Sequence, residues 1–236
     1  QQYSPKYTIV FIAVVCVVCS LLVSTSAVAL KERQERNALL EMQKNVLLAA
    51  GLITPQDSPG RQRIMELFGK NITPVVIDLE SGQETDIDPS TFDQRKATKD
   101  PQQSIPAPPN EARVVRLPQQ ALIYKVLSDG RAEQFVLPIE GKGLWSTLYG
   151  FIALDNDGTT INGITFYQHG ETPGLGGEID NPKWKALWPG RTAFDEQGRV
   201  AVEVIKGRAG PPAQDPHHVD GITGATTVSY THLRAH

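Results

Sequence analysis

Residues 7–30 contain no charged side chain and are almost wholly apolar, which limits the possible folds more than any other stretch. As a helix rising 1.5 Å per residue they would span roughly 36 Å, enough for a hydrocarbon core of about 30 Å. Ala27-Val28-Ala29 has the small-x-small look of a signal-peptide cleavage site. The apolar run nevertheless exceeds the usual h-region of about 7–15 residues, and a helical pattern continues out of it. A permanent transmembrane anchor is therefore expected. Lys6 is the one cation before the run, whereas Lys31, Arg33 and Arg36 follow it. By the positive-inside rule this charge pattern puts the large domain in the cytoplasm. Cys16 and Cys19 lie inside the span at i,i+3 and read as small packing residues. With no cysteine elsewhere, the globular part has no disulfide.

The chain has 236 residues, room for one or two domains, and a formal net charge of -3. No basic stripe stands out, which argues against a nucleic-acid partner. Both ends read as those of a fragment. Gln1 stands where an initiator methionine is expected, and residues 228–236 resemble the conceptual translation of a sequencing-library adapter. The native sequence is then expected to stop near Thr226 or Thr227, with 228–236 as a non-native tail.

Apolar spacing over residues 30–50 predicts a helix stopped by Gly51 and Pro55. A short helix is expected over 61–68, and a strand over 74–79 with Ser81-Gly82 as its turn. Residues 96–110 hold four prolines and read as a loop or linker. Two hairpins follow, 120–127 with 132–139 and 147–154 with 160–167, each closed by an Asp-Gly signal. A helix over 182–187 has Asn181 as cap and Pro182 at its first position. Alternation over 199–206 predicts one more strand. The class is α+β: an N-terminal transmembrane helix, then an antiparallel sheet with inserted helices. The expected segments are an anchor at 1–30, a helical and linker region at 31–112 and the main domain at 113–227.

Three stretches could carry chemistry. Gly170-Glu171-Thr172-Pro173-Gly174-Leu175-Gly176-Gly177 has four glycines, so its backbone can approach a flat or anionic ligand closely. A tight structural turn explains the same glycines. Gly141-Lys142-Gly143-Leu144-Trp145-Ser146 sets a flexible backbone beside an aromatic. Leu144 and Trp145 either pack against a planar ring or sit in the core, and Trp184 and Trp188, four apart, suit core packing. Asp220-Gly221-Ile222-Thr223-Gly224-Ala225-Thr226 puts a threonine after two small residues, which leaves room for a phosphoester at its hydroxyl, or else forms a plain turn. His217 and His218 point to opposite faces if they lie on a strand, so they make a poor metal site and read as solvated loop residues. No metal site is expected.

At these residues the chain resembles the C subunit of the bacterial sodium-translocating NADH:quinone oxidoreductase, a family with an FMN-binding domain. The resemblance rests on Gly143-Leu144-Trp145-Ser146, on residues 149–155 and 163–167, on His169 through Trp184, and on Asp220 through Thr226. It implies FMN joined through its phosphate to Thr226 by a separate flavin transferase. Asp220, Gly221, Thr223, Gly224 and Ala225 complete the flavinylation motif. Glu171, Thr172, Gly174, Leu175 and Gly176 would line the ring, with Leu144 and Trp145 opposite and Lys206 neutralising ring or phosphate charge. The resemblance also implies a single-pass inner-membrane protein whose FMN domain faces the periplasm, against the charge pattern. Its partners would be the other members of the complex, the B, D and E subunits above all. It would pass electrons to a second FMN in the B subunit, while NADH and ubiquinone bind elsewhere and sodium is pumped. The family continues past the attachment site with another helix, which the adapter-like tail replaces here. The alternatives are the G subunit of the Rnf electron-transport complex, which shares the glycine loop and threonine motif, and a membrane-anchored binding module without flavin.

Overall fold

A computed structural model describes residues 4–222 except 111 and 129. Helix α1 runs over Pro5–Ala49 and contributes to two compact units, one ending at Glu41 and one beginning at Met42. In the first unit, apolar side chains are exposed all round the helix: Tyr7, Phe11, Leu21 and Val28 are each more than half accessible. A helix apolar on every face is stable in a membrane or a core and poorly suited to water. This one is long and apolar enough to cross a bilayer. The helix expected over 30–50 continues the apolar run without a break, as the sequence pattern implied.

The second unit is built on a five-stranded antiparallel sheet in the order β1-β4-β5-β6-β7. Its strands are β1 (Ile72–Asp78), β4 (Gln120–Ser128), β5 (Arg131–Lys142), β6 (Thr147–Asp155) and β7 (Ile161–Gln168). Both expected hairpins are present, and the Ser81 turn forms with Asp78 Oδ1 accepting from Ser81 N at 2.9 Å. One sheet face carries a row of aromatic contacts, Phe68 to Tyr124 to Phe151 to Tyr167. The end of α1 docks here. Thr165 Oγ1 donates to the Asn45 carbonyl at 3.1 Å, and Tyr124 OH donates to Met42 Sδ at 3.4 Å. Gly163 permits the approach, because a Cβ there would collide with the Ala49 carbonyl oxygen. The other face buries Ile139, Leu148, Ile152, Ile164, Trp184, Trp188 and Val219 in one core cluster, so the two tryptophans pack as expected.

Four expectations are corrected. Residues 96–110 are not a plain linker: α3 (Gln94–Lys99) ends inside them, and β2 (Ser104–Pro106) pairs with β3 (Arg116–Pro118). Asp93 begins α3 by accepting from Lys96 N at 3.1 Å, a cap worth about 1 kcal/mol. The strand expected over 199–206 shrinks to β8 (Glu203–Val204), which pairs in parallel with β9 (His218–Val219). The helix near 182 is α4 (Pro182–Lys185), capped by Asn181 as expected but shorter, and α2 (Arg61–Asn71) runs longer. A 3-10 turn over Gly176–Asp180 precedes α4. Thr223, Gly224, Ala225, Thr226 and the adapter-like tail lie outside the described residues.

The β6–β7 turn supplies a pH test. Asp157 accepts from the Thr160 hydroxyl and from the Thr160 and Thr159 amides, at 2.5 to 2.8 Å. These bonds, the hydroxyl's first, pull its carboxyl from 3.8 to about 2. A depressed carboxylate stabilises the fold above its unfolded value and loses that contribution as pH falls through the folded one. Asp157→Asn is expected to melt below wild type at about pH 6 and to converge on it near pH 2. Calorimetry showing the same gap at both pH values would refute this.

Candidate functional site

The tip of the β5–β6 hairpin is the four-residue loop Gly143 to Ser146, closed by Gly143 N donating to Ser146 O at 2.8 Å. Its amides converge on one side chain. The Glu171 carboxylate accepts from Leu144 N, Trp145 N and Ser146 N at 3.3, 3.0 and 3.2 Å. Glu171 is only 6% exposed, so these bonds replace its water. A Cβ at Gly143 would meet Glu171 Oε1 and push the carboxylate away from the loop amides. Ser146 Oγ completes the junction by accepting from Gly170 N at 2.6 Å. Glu171 thus ties the glycine-rich loop after β7 to the β5–β6 tip.

The second loop is braced in turn. His169 Nδ1 lies 3.2 Å from Glu171 N, which donates to it, and Nε2 lies 2.7 Å from Asp180 Oδ2. The neutral tautomer with its proton on Nε2 satisfies both. Asp180 also pairs with Lys185 at 3.2 Å, which links the loop to α4. The Thr172 carbonyl accepts from Leu175 N and Gly177 N. The consequence is an outward display of apolar groups: Leu144, Trp145 and Leu175 are 59%, 71% and 46% exposed. Trp145 is therefore not a core residue. Thr172 and Gly174 are exposed as well, while Gly176 is buried.

The start of the third stretch is held by backbone bonds. Ile205 N donates to Val219 O at 2.9 Å, and Gly221 N donates to Gly207 O at 2.9 Å. Asp220 is used twice. Its Oδ1 accepts from Ala209 N and its carbonyl from the Trp184 indole, both at 2.8 Å. The chain leaving Ile222 therefore starts from a fixed point beside the tryptophan core. Lys206 is exposed. His217 and His218 are half-buried, not solvated: their Nδ1 atoms lie 2.9 Å from Thr192 O and 2.6 Å from Asp215 Oδ1. Among the described residues no cluster of histidine, cysteine and carboxylate could hold a metal. Ser146, His169, Asp180 and Trp184 lie in stretches noted in the sequence, but their bracing roles leave no mark there, because each depends on a partner brought close by the fold.

This geometry defines a domain with two rigidly joined loops that present apolar surface, and comparison with known proteins agrees. The model of the FMN-binding domain family matches residues 143–233, beginning at the glycine beneath Glu171. The C subunit of the Na(+)-translocating NADH-quinone reductase of Yersinia pestis is 45% identical, over 94% of this chain and 83% of its own length. That of Pseudomonas aeruginosa is 48% identical, over 97% and 88%. The crystal structure of Shewanella oneidensis NqrC superposes with a TM-score of 0.72 at 35% identity, covering 80% of this chain and 85% of that one. The structure of the same reductase's C subunit from Parabacteroides distasonis gives 0.65 at 26% identity, covering 85% and 87%. The chain belongs to the family of C subunits of the Na(+)-translocating NADH-quinone reductase.

Proposed function

We propose that this chain is the FMN-carrying C subunit of a sodium-translocating NADH:quinone oxidoreductase. The observation that carries the reading is the Glu171 junction, which fixes two apolar loops inside the region matching the FMN-binding domain. Leu144, Trp145 and Leu175 suit a flat, largely apolar ring, and Thr172 and Gly174 lie beside them in the loop. FMN, when bound, supplies the exchange of electrons, and the protein supplies position and electrostatics. Thr226 is the residue through whose hydroxyl the FMN phosphate is esterified, with a flavin transferase making the bond. Asp220 and Gly221 anchor the motif that Thr223, Gly224 and Ala225 continue. Glu171 acts by holding the loop amides, and Lys206 lies in the exposed segment before the motif, where it can offset phosphate charge.

In this reading the chain relays electrons to the FMN of the B subunit, contacts the B, D and E subunits, and leaves NADH and ubiquinone to other members of the complex. Helix α1 is its single inner-membrane span. The FMN domain is assigned to the periplasm on the family resemblance, against the charge pattern of Lys31, Arg33 and Arg36. Membranes from cells lacking this chain are expected to lose sodium-stimulated quinone reduction by NADH. They should regain it when the wild-type chain is returned. Full activity in the membranes without it would overturn the proposal.

A further inference from the structure

The sheet face opposite the tryptophan core holds a cavity of about 420 Å³ beside the end of the β5–β6 ladder, and none of its lining residues belongs to the two apolar loops. Among the described residues, Arg95, Lys99, Arg113, Arg116 and Lys142 line it, together with one carboxylate, Glu140. Glu140 and Lys142 stand opposite Tyr149 and Thr147 in the ladder, so the sheet itself supplies one wall. The ion pairs formed among the described residues use none of the five cations. Two of the cations are held in place by neutral groups instead. The Arg95 guanidinium sits 3.7 Å above the Tyr149 ring and donates to Gln168 Oε1 at 2.8 Å and Tyr167 OH at 3.1 Å. Arg116 donates to Ser104 Oγ and Ser104 O at 2.7 and 2.6 Å. Fixing a cation without neutralising it keeps its charge available to a ligand.

Arg113 adds an independent observation. Its φ is 54°, a left-handed conformation that a residue with a side chain rarely adopts. Asn110 imposes it: its Oδ1 accepts from Val114 N at 2.9 Å, and its Nδ2 donates to Val114 O at 2.9 Å and Pro108 O at 2.8 Å. The turn is then fastened to the hairpin by Lys142 N donating to Ala112 O at 2.8 Å. Glycine would adopt this conformation without strain, yet arginine stands there, at the cavity wall. Burial also raises the Glu140 carboxyl above its ordinary value, while Arg95 and Lys99 pull the other way.

We propose that this cavity binds a phosphate-bearing anion. Arginine forks match phosphate oxygens, lysines add point charges, and the volume falls within the usual range of small-molecule sites of about 300–1,000 Å³. The anion is either a free organic phosphate or a lipid headgroup, which share this chemistry.

Titration calorimetry on the full chain in detergent, with inorganic pyrophosphate as probe, tests it. Nanodiscs of phosphatidylglycerol against phosphatidylcholine form the lipid arm. Saturable binding of pyrophosphate, or selective binding to phosphatidylglycerol, is expected. It should weaken about tenfold or more in Arg113→Gly and Lys142→Gln, as for loss of a charge-assisted contact. Glu140→Gln should tighten it, and Lys183→Gln on α4 should leave it unchanged. Arg113→Gly relieves the strained φ, so its melting temperature should equal or exceed that of wild type while its affinity falls. Thr226→Val protein should bind as wild type does, which keeps this result separate from the flavin reading. Absence of binding in both arms, or binding that survives Arg113→Gly and Lys142→Gln, overturns the proposal.

Discussion

Protein carrying Thr226→Val is expected to emerge from denaturation with no flavin attached, even when made alongside a flavin transferase. Valine replaces the threonine hydroxyl with a methyl group and preserves the branch at Cβ. The change removes the hydroxyl proposed to join the phosphate and leaves the shape of the side chain nearly intact. Wild type should show fluorescence in a denaturing gel and a mass higher by one FMN less one water. Thr226→Ser keeps a hydroxyl and should retain labelling. A fluorescent Thr226→Val band would place the acceptor elsewhere, with Thr223 and Thr227 as the neighbouring hydroxyls.

Glu171→Ala should give the second large effect, on order within the site. Three backbone amides would lose their shared acceptor in a junction that water barely reaches. Hydrogen bonds to a charged group contribute about 1.5–3 kcal/mol each, and the loop can recover part of that by opening to solvent. A loss of about 3 kcal/mol in urea unfolding is therefore expected. The amides of Leu144, Trp145 and Ser146 should exchange with deuterium about a hundredfold faster. Glu171→Gln, which keeps one oxygen, should fall between. Unchanged exchange at these three amides in Glu171→Ala would mean that the carboxylate does not organise the loop.

The hairpins were legible because an Asp-Gly turn and alternating strands are local signals. The anchor was legible because a charge-free run has few other uses. α3 was not, because the proline-rich stretch after it suggested a linker, and the Asp93 cap lies before that stretch. The strand expected over 199–206 failed for another reason. Alternation shows that a segment can pair, but β8 takes its partner from His218–Val219, and parallel pairing across such a gap leaves no mark in spacing. In the candidate site, composition left the glycine loop and the aspartate–threonine stretch readable as plain turns, and only the family resemblance gave them a role. That Glu171 faces the amides of another loop was not legible, since a buried carboxylate and a ligand-facing one read alike in sequence.

With the cofactor linked at Thr226 as proposed, the anchoring of Asp220 and Gly221 bounds how far it can travel. Four Cα-to-Cα steps lead from Ile222 to Thr226, and a fully extended chain covers about 14 Å in that distance. With the threonine side chain added, a phosphate esterified at Thr226 would stay within about 18 Å of Ile222, two residues beyond the Asp220 carbonyl held by the Trp184 indole. One molecule in such a sphere corresponds to a local concentration on the order of 100 mM. A cofactor so tethered can bind its loops loosely and still be present at every turnover. Weak ring contacts would then be an advantage, since they let the flavin swing toward a partner and return.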